Sequence, residues 1–307
     1  MTVENRKSYN RITKKFLRRT LAVLLALLVS FSFSNLALAD SVEGKKVVSL
    51  GANLNEDQRA QILALFGVKE GEALMLEVTN QEERDYLGGL VSDEKIGKRA
   101  ISSAYVEILE EGEGISVETH NINWVTKEMY ANAMVTAGIE DARVIAAAPF
   151  SVSGTAALTG IMKAFEEAIG EELSEEAKKI ANEEMVTTGE LGEDIGQDEA
   201  ASLVQKIKER IIREKITDPE QIRQIIINIA GDLNINITDE HIEALAKLME
   251  RISKLDLSVE NVSKQLEKIS KGLQKAKETI EANKGFFQKI FDAIKEFFAW
   301  LAKALRV

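Results

Sequence analysis

The sequence predicts an α+β or α/β N-terminal domain followed by an all-helical C-terminal region. Up to about residue 170, short apolar segments typical of strands alternate with helical patterns, as in a sheet packed against helices. Beyond that point only the helical period remains, and charged residues become more frequent. We therefore expect a domain at 40–170, a helical region at 171–284 and a separate amphipathic helix at 285–307.

Residues 1–39 have the organisation of a signal peptide. Seven basic residues precede the apolar segment Leu21–Phe33, and Ala37 and Ala39 fit the small-residue cleavage pattern. An uncleaved N-terminal anchor is the alternative, but this apolar segment is short for a membrane span. We therefore expect a secreted protein, extracellular or associated with the cell envelope.

Charge and cysteine content exclude several classes of function. Residues 1–39 contain seven of the 39 basic residues and one of the 50 acidic residues, so the remaining chain has a net charge of −17. Nucleic-acid binding needs a basic surface instead. The absence of cysteine excludes disulfides, thiol catalysis and cysteine-bound zinc, and neither HExxH nor GxSxG occurs. We expect no cofactor, no metal and no nucleic-acid partner.

Five segments of the first half have the apolar patterns of strands. In order, they are Lys45–Ala52, Ala73–Thr79, Ile101–Leu109, Ile115–Thr119 and Val144–Ala148. The last is continuously apolar, as expected of a strand covered on both faces, and Pro149 is expected to end it. The Glu-Gly-Glu-Gly turn at 111–114 predicts a hairpin between the third and fourth strands.

Capping residues delimit the helices between these strands. The predicted N-terminal caps are Asn55 with Gln58, Asn80 with Glu83, and Thr126. The predicted C-terminal stops are Gly67, Gly88 and Gly138.

The second half is expected to be helical, with one interruption. Residues 187–198 contain three glycines among acidic residues, which predicts a flexible acidic loop. Calcium binding is the alternative, although the alternating ligands of an EF-hand are missing. Asp218 followed by Pro219 predicts a helix start. Apolar residues from Val259 to Ile280 follow a heptad spacing, which predicts a helical hairpin or a short coiled coil.

One candidate binding site lies where the fifth predicted strand leads into a helix. Ser151, Ser153 and Thr155 occupy this turn, and backbone N–H groups at such a helix start can hold an anion. The P-loop sequence Gly-Lys-Ser/Thr is absent, and the same hydroxyls could simply cap the helix and shape the turn. Both interpretations remain open at this stage.

A second candidate site combines an aromatic face with hydrogen-bonding side chains, as many glycan sites do. Its residues are His120, Asn121, Asn123 and Trp124. The alternative is that they only shape the turn before the next helix. The nearest acids have no spacing that singles out a catalytic pair, so catalytic residues stay unknown for the alternative function, a carboxylate-dependent hydrolase acting on cell-envelope glycans.

The segment 285–307 has an aromatic face and four basic residues against two acidic ones. Charges along its length disfavour a membrane span but suit an interfacial helix. The candidate residues for contact with a membrane or a partner are Phe287, Phe291, Phe298, Trp300 and Leu301. Docking onto the protein's own helices is the alternative.

Several long motifs resemble one known family. They include VSLGANLNEDQRAQILALFGV, IGKRAISSAYVEIL, NINWVTKEMYANAMVTAGIEDARVIAAAPFSVSGTAALTGI and EEMVTTGELGEDIG. With these motifs the chain resembles the YpuA-like family of predicted secreted bacterial proteins, over about Asp40 to Leu273. The resemblance implies export and a Gram-positive setting, and it brings no catalytic residues.

The sequence therefore favours a secreted cell-envelope or extracellular binding or structural protein over an enzyme. The expected partner is a membrane surface or an envelope component, contacted through the C-terminal helix 285–307. The ligand and the oligomeric state are left open.

Overall fold

A five-stranded mixed sheet forms the centre of the computed structural model, which describes residues 42–69, 71–269 and 271. Its strands are β1 (Lys46–Gly51), β2 (Leu74–Val78), β3 (Ser103–Ile108), β4 (Ser116–Ile122) and β5 (Ala142–Val152). Their order across the sheet is β2-β1-β3-β5-β4. The outer pairs β1–β2 and β4–β5 are parallel, and the inner pairs β1–β3 and β3–β5 are antiparallel.

Helices connect the strands and then continue alone, which confirms the predicted fold class. Those within the sheet region are α1 (Glu56–Phe66), α2 (Asn80–Leu87), α3 (Asp93–Ile96), α4 (Lys127–Ala137) and α5 (Thr155–Ile169). Those that follow are α6 (Glu175–Ile195), α7 (Gln197–Glu214), α8 (Pro219–Asp232), α9 (Asp239–Ile252) and a last helical segment at 259–269. In this described part of the chain, none of the helices combines the length and apolarity needed to cross a membrane. The expected signal peptide and tail helix lie outside it.

The two faces of the sheet are covered by different helices. On one face α1 packs over Val48 and Leu50, and on the other face Val47 belongs to the core that includes α4 and α5. This alternation is the period-two pattern expected of β1. A Cβ atom at Gly160 of α5 would lie 2.3 Å from Ser49 Oγ, so glycine allows α5 to lie directly on β1.

Most of the predicted caps are confirmed, but that of α2 is wrong by one residue. Asn55 with Gln58, Thr126, and Asp218 with Pro219 cap their helices as expected. For α2 the capping box is Thr79 with Glu82, since the extended Thr79 accepts a hydrogen bond from the Glu82 N–H at 3.2 Å. The shift frees Glu83 from capping, and it points inward with 1% of its surface exposed.

Pro149 does not end β5, contrary to the prediction. The strand continues to Val152, where it pairs with Ile122 of β4. Proline is tolerated because β3 begins at Ser103, opposite Ala147, so Pro149 lies beyond the ladder between β3 and β5.

The predicted hairpin between the third and fourth strands is also wrong. The chain reverses at 111–114, but β5 lies between β3 and β4 in the sheet. The Asp141 carboxylate holds this turn by accepting hydrogen bonds from the N–H groups of Gly112 and Gly114, at 2.9 and 2.6 Å. Gln265 Nε2 donates to the same carboxylate at 3.1 Å, which ties the 259–269 segment to the sheet.

The acidic loop predicted at 187–198 is helical up to Ile195. Two of its glycines serve close packing rather than flexibility. A Cβ atom at Gly189 would lie 2.4 Å from Cζ2 of Trp124, and one at Gly192 would lie 2.3 Å from Oε1 of Gln197. Only Gly196, with φ +102°, forms a turn, between α6 and α7.

A buried ion pair connects α6 and α7 to α4. The side chains of Lys208 and Glu184 are 0% and 1% exposed, and Lys208 Nζ lies 2.7 Å from Glu184 Oε1. The same ammonium donates to the carbonyl oxygen of Asn132 at 2.7 Å and to Thr136 Oγ1 at 3.0 Å. Burial lowers the pKa of Lys208, while Glu184 acts to raise it. Every proton of the ammonium thus has an acceptor, as a buried charge requires.

The later helices share one hydrophobic core with the sheet. That core extends from Val47 of β1 to Ile269, and it includes Val262 and Leu266 of the predicted heptad seam. The remainder of the seam lies outside the described residues. Gly170, where we expected the domain to end, is the left-handed cap of α5, but the apolar packing continues across it.

Candidate functional site

The turn between β5 and α5 is built around Gly154. This residue is the N-cap of α5 with φ +95°, and a Cβ atom here would lie 2.5 Å from both Ile122 and the Tyr130 hydroxyl. Tyr130 is fully buried and donates to the Gly154 carbonyl oxygen at 2.6 Å. Among the described residues, no side chain caps α5, so the capping role considered for the neighbouring hydroxyls is wrong.

The hydroxyls of this turn form a chain that ends at a buried carboxyl group. Ser153 Oγ donates to the carbonyl oxygen of Lys95 at 3.1 Å and lies 3.2 Å from Thr155 Oγ1. Thr155 Oγ1 donates to Glu83 Oε1 at 2.6 Å. Ser151, the third hydroxyl of the predicted set, is exposed on β5. The structure therefore brings Ser153 and Thr155 together, and it joins them to Glu83, which the sequence analysis had assigned only to a helix cap.

A cleft of about 250 Å³ opens beside this chain, and we call it the α5-end cleft. Its lining includes Glu83, Ser153 and Thr155, with Lys98 and Arg99 as exposed cations. Burial raises the pKa of Glu83, although hydrogen bonds from Thr155 and Asn80 act to lower it. Burial also raises the pKa of Tyr130, and the nearby charge of the Glu83 carboxylate raises it further. The floor of this cleft thus has a carboxyl group that is harder to ionise than usual.

Trp124 is a packing residue in this structure. Gly189 of α6 contacts its ring, and Lys95 Nζ lies 4.8 Å from the ring centroid. Its indole N–H donates to Glu193 Oε1 at 2.9 Å, and Glu193 also forms an ion pair with Lys95. Lys95 therefore links Trp124 to Ser153, and so connects the two sites predicted from the sequence.

The other residues predicted around Trp124 do not join this network. Asn121 has φ +58° at a β-bulge of β4, and its Nδ2 donates to the Ala148 carbonyl oxygen at 2.8 Å. It therefore shapes the bulge of β4, whereas the alternative interpretation expected it in the turn before the next helix. His120 and Asn123 are exposed. Phe287, Phe291, Phe298, Trp300 and Leu301 lie outside the described residues.

A larger cleft, of about 480 Å³, lies between α2, α5 and α6. We call it the Tyr86 groove. It is lined by Glu82, Asp85 and Tyr86 of α2, by Thr159, Met162, Lys163 and Glu166 of α5, and by Glu175, Lys178 and Lys179 of α6. Its volume is in the range of small-molecule sites, roughly 300–1,000 Å³.

Two lysines of the groove are fixed by ion pairs. Lys163 Nζ lies 2.6 Å from Glu82 Oε1 and donates to the Glu77 carbonyl oxygen at 2.8 Å. Lys178 Nζ lies 2.8 Å from Glu166 Oε1 and 2.6 Å from Glu175 Oε1. Burial alone would lower the pKa of Lys178, but its bonds to Glu166 and Glu175 raise it overall. Lys178 is therefore a permanently charged part of the wall, with its Nζ 5.9 Å from the Tyr86 ring centroid.

No pattern in the sequence pointed to this groove. Its residues come from α2 and from the consecutive helices α5 and α6, which lie much further along the chain. The charged residues on each helix look like those of an ordinary surface helix. The burial of Glu83 was not predicted because the capping box was assigned one residue too late in the sequence. Reading the capping box as Thr79 with Glu82 would have placed Glu83 on the inner face of α2.

The described part of the chain contains neither a cluster of metal ligands nor a histidine bonded to Ser153 or Thr155. Within residues 42–69 and 71–269, no group of three or more His, Asp and Glu side chains could hold a metal ion. His241 Nε2 lies 3.0 Å from Asp194 Oδ2. Across the same residues, no hydrogen bond connects either histidine to Ser153 or Thr155, whose hydroxyl partners are described above.

The chain belongs to a family whose function is unknown. The chain is a member of the family described as "Protein of unknown function (DUF1002)", which matches residues 50–269. It is similar to "Uncharacterized protein YpuA" of Bacillus subtilis (strain 168), with 42% identity over 233 residues, or 76% of this chain and 80% of that protein. No solved structure matches the chain. The predicted family resemblance is confirmed, and the matched range contains both clefts.

The raised pKa of Glu83 predicts a pH-dependent effect of Glu83→Gln. A carboxyl group with a raised folded-state pKa stabilises the fold below its unfolded pKa of about 4.3, and this stabilisation is lost as pH rises through the folded-state pKa. The amide side chain of the variant keeps an acceptor for Thr155 and does not ionise. The free energy of unfolding of the variant, minus that of the wild type, should therefore increase from about pH 4 to about pH 7, on the order of 1 kcal/mol.

Urea unfolding at both pH values measures this difference. Glu94→Gln is the matched control, because Glu94 lines the same cleft but is exposed. A difference for Glu83→Gln that falls with pH, or that matches the control, would contradict the assignment of a raised pKa.

Proposed function

We propose that this chain is an exported protein of the cell envelope that binds a small ligand in the Tyr86 groove without catalysing a reaction. The observation that supports this proposal is the groove itself. It combines the volume of a small-molecule site with an aromatic wall and charged groups whose positions are fixed by ion pairs. Fixed charges recognise a ligand at a small cost in side-chain ordering.

The carboxyl groups beside Trp124 and in the Tyr86 groove favour binding over hydrolysis. A glycan hydrolase needs a general acid with a raised pKa next to a second carboxylate. Beside Trp124, hydrogen bonds from Lys95 and Trp124 lower the pKa of Glu193, which is the opposite of what a general acid requires. In the Tyr86 groove, the bond from Lys178 is the main cause that lowers the pKa of Glu175. These carboxylates are suited to hold charge rather than to transfer protons.

Export and envelope location are supported by the two ends of the sequence. A basic segment, an apolar segment and small residues before Asp40 have the order of a signal peptide. Residues 285–307 have the aromatic and net basic sequence pattern of an interfacial helix, which suits the surface of a membrane.

Fractionation of a Gram-positive host tests this location. We expect the protein outside the cytoplasm with Asp40 as its first residue, bound to the membrane after enzymatic removal of the wall. A chain that ends at Lys284 keeps every described residue and should be released into the supernatant. Recovery in the cytoplasm with Met1 retained would contradict export, and equal membrane binding of both chains would contradict a role of the tail.

Binding in the groove is tested with isolated Gram-positive cell walls. The wild type should sediment with the walls, and Tyr86→Ala should reduce the apparent affinity about tenfold, because it removes the aromatic wall. Ile227→Ala is the matched control, since Ile227 is an exposed apolar residue of α8, outside the groove. Equal sedimentation of Tyr86→Ala and the wild type would contradict binding in the Tyr86 groove.

A further inference from the structure

We propose that the Tyr86 groove recognises a small zwitterionic ligand, namely a short peptide with a free ammonium group and a free carboxylate. The carboxylate would bind at Lys179 and the ammonium group at Asp85, over the hydroxyl of Thr159. This inference rests on the proposed function, since it names the class of ligand that the groove takes.

The charged side chains around the groove are not all paired with one another. Lys163 is paired with Glu82, and Lys178 is paired with Glu166 and Glu175. Lys179 and Asp85 remain. Neither forms an ion pair within 4.0 Å among the described residues, although the charge of Lys179 contributes to lowering the pKa of the nearby Glu175. Asp85 accepts one hydrogen bond, from Gln81 Nε2 at 2.8 Å. Both are exposed on the lining. The groove thus offers one available positive and one available negative charge, on opposite helices α6 and α2.

The groove also contains a buried hydroxyl group that has no hydrogen-bond partner among the described residues. Thr159 lines the groove with 4% of its surface exposed, and its Oγ1 has no hydrogen-bond partner in the described structure. Leaving such a group unsatisfied costs about 1–3 kcal/mol, which a ligand that completes the hydrogen bond would recover. A peptide group has both a donor and an acceptor for a hydroxyl. This observation is independent of the charges.

The arrangement distinguishes a zwitterion from other ligands of an envelope. A polyanion would meet the four carboxylates of Glu82, Asp85, Glu166 and Glu175, which repel it. A neutral glycan could stack on Tyr86 but would leave both Lys179 and Asp85 unused. Only a ligand with both charges uses every available group of the groove.

Calorimetric titration of the full chain, purified as its host produces it, tests the inference. The probes are dialanine, its N-acetyl derivative, its C-terminal amide, and chitotriose as a neutral glycan. Dialanine should bind, and removing either charge should weaken binding about tenfold or more, as expected for a lost charge-assisted hydrogen bond. Thr159→Val should also weaken binding of dialanine, because it removes the hydroxyl and keeps the shape.

Two variants assign each charge to its partner. The Asp85→Asn variant should bind dialanine and N-acetyl-dialanine with similar affinity. The Lys179→Gln variant should bind dialanine and its C-terminal amide with similar affinity. Lys206→Gln is the matched control, since Lys206 is an exposed lysine of α7 outside the groove, and it should bind dialanine as the wild type does.

The outcomes separate this inference from the proposed function. Equal binding of all four probes would contradict recognition of a zwitterion. So would a loss of affinity on acetylation or amidation that stays the same in both variants. Wall binding that depends on Tyr86 but is competed by chitotriose and not by dialanine would overturn it as well, while the proposed function would stand. Loss of the Tyr86 dependence itself would overturn the proposed function.

Discussion

The position of α6 depends on the buried pair of Lys208 and Glu184. Two opposite charges without solvent contact remain favourable only if their geometry satisfies every donor, and here Asn132 and Thr136 of α4 complete the set. The pair therefore connects three helices rather than two. Because α4 lies in the crossover between β4 and β5, it fixes α6 and α7 relative to the sheet.

The Tyr86 groove follows from that position. One end of α6 is held by Gly189 against Trp124, and its first turns bring Lys178 against Glu166 of α5. On the opposite side, α2 is placed by Thr79 and by Glu83, whose carboxyl accepts from Thr155 at the start of α5. The groove thus lies between two helices that are each fixed to α5, and its charged groups are held before a ligand arrives.

The sequence predicts most of this fold because its elements rest on local physics. Asn55, Thr126 and Pro219 act through neighbours a few residues away, and apolar periodicity locates the strands. The errors occur where distant residues decide. Gly189 and Gly192 look like loop glycines until Trp124 and Gln197 occupy the space of their missing side chains. The two clefts are harder still to predict. The sequence pattern places Ser153 and Thr155 in one turn, but Glu83, Lys95 and Thr159 become part of a cleft only when separate helices pack together.

Equilibrium unfolding in urea of Lys208→Met, compared with the double variant Lys208→Met/Glu184→Leu, tests most directly whether the buried pair holds the helices on the sheet. Lys208→Met should cost about 3–5 kcal/mol, because it leaves a buried carboxylate without its partner, and the double variant should recover most of that loss. Lys206→Met, on the exposed face of the same helix, should change the free energy of unfolding by less than about 0.5 kcal/mol. A loss for Lys208→Met as small as that of the control would contradict the account.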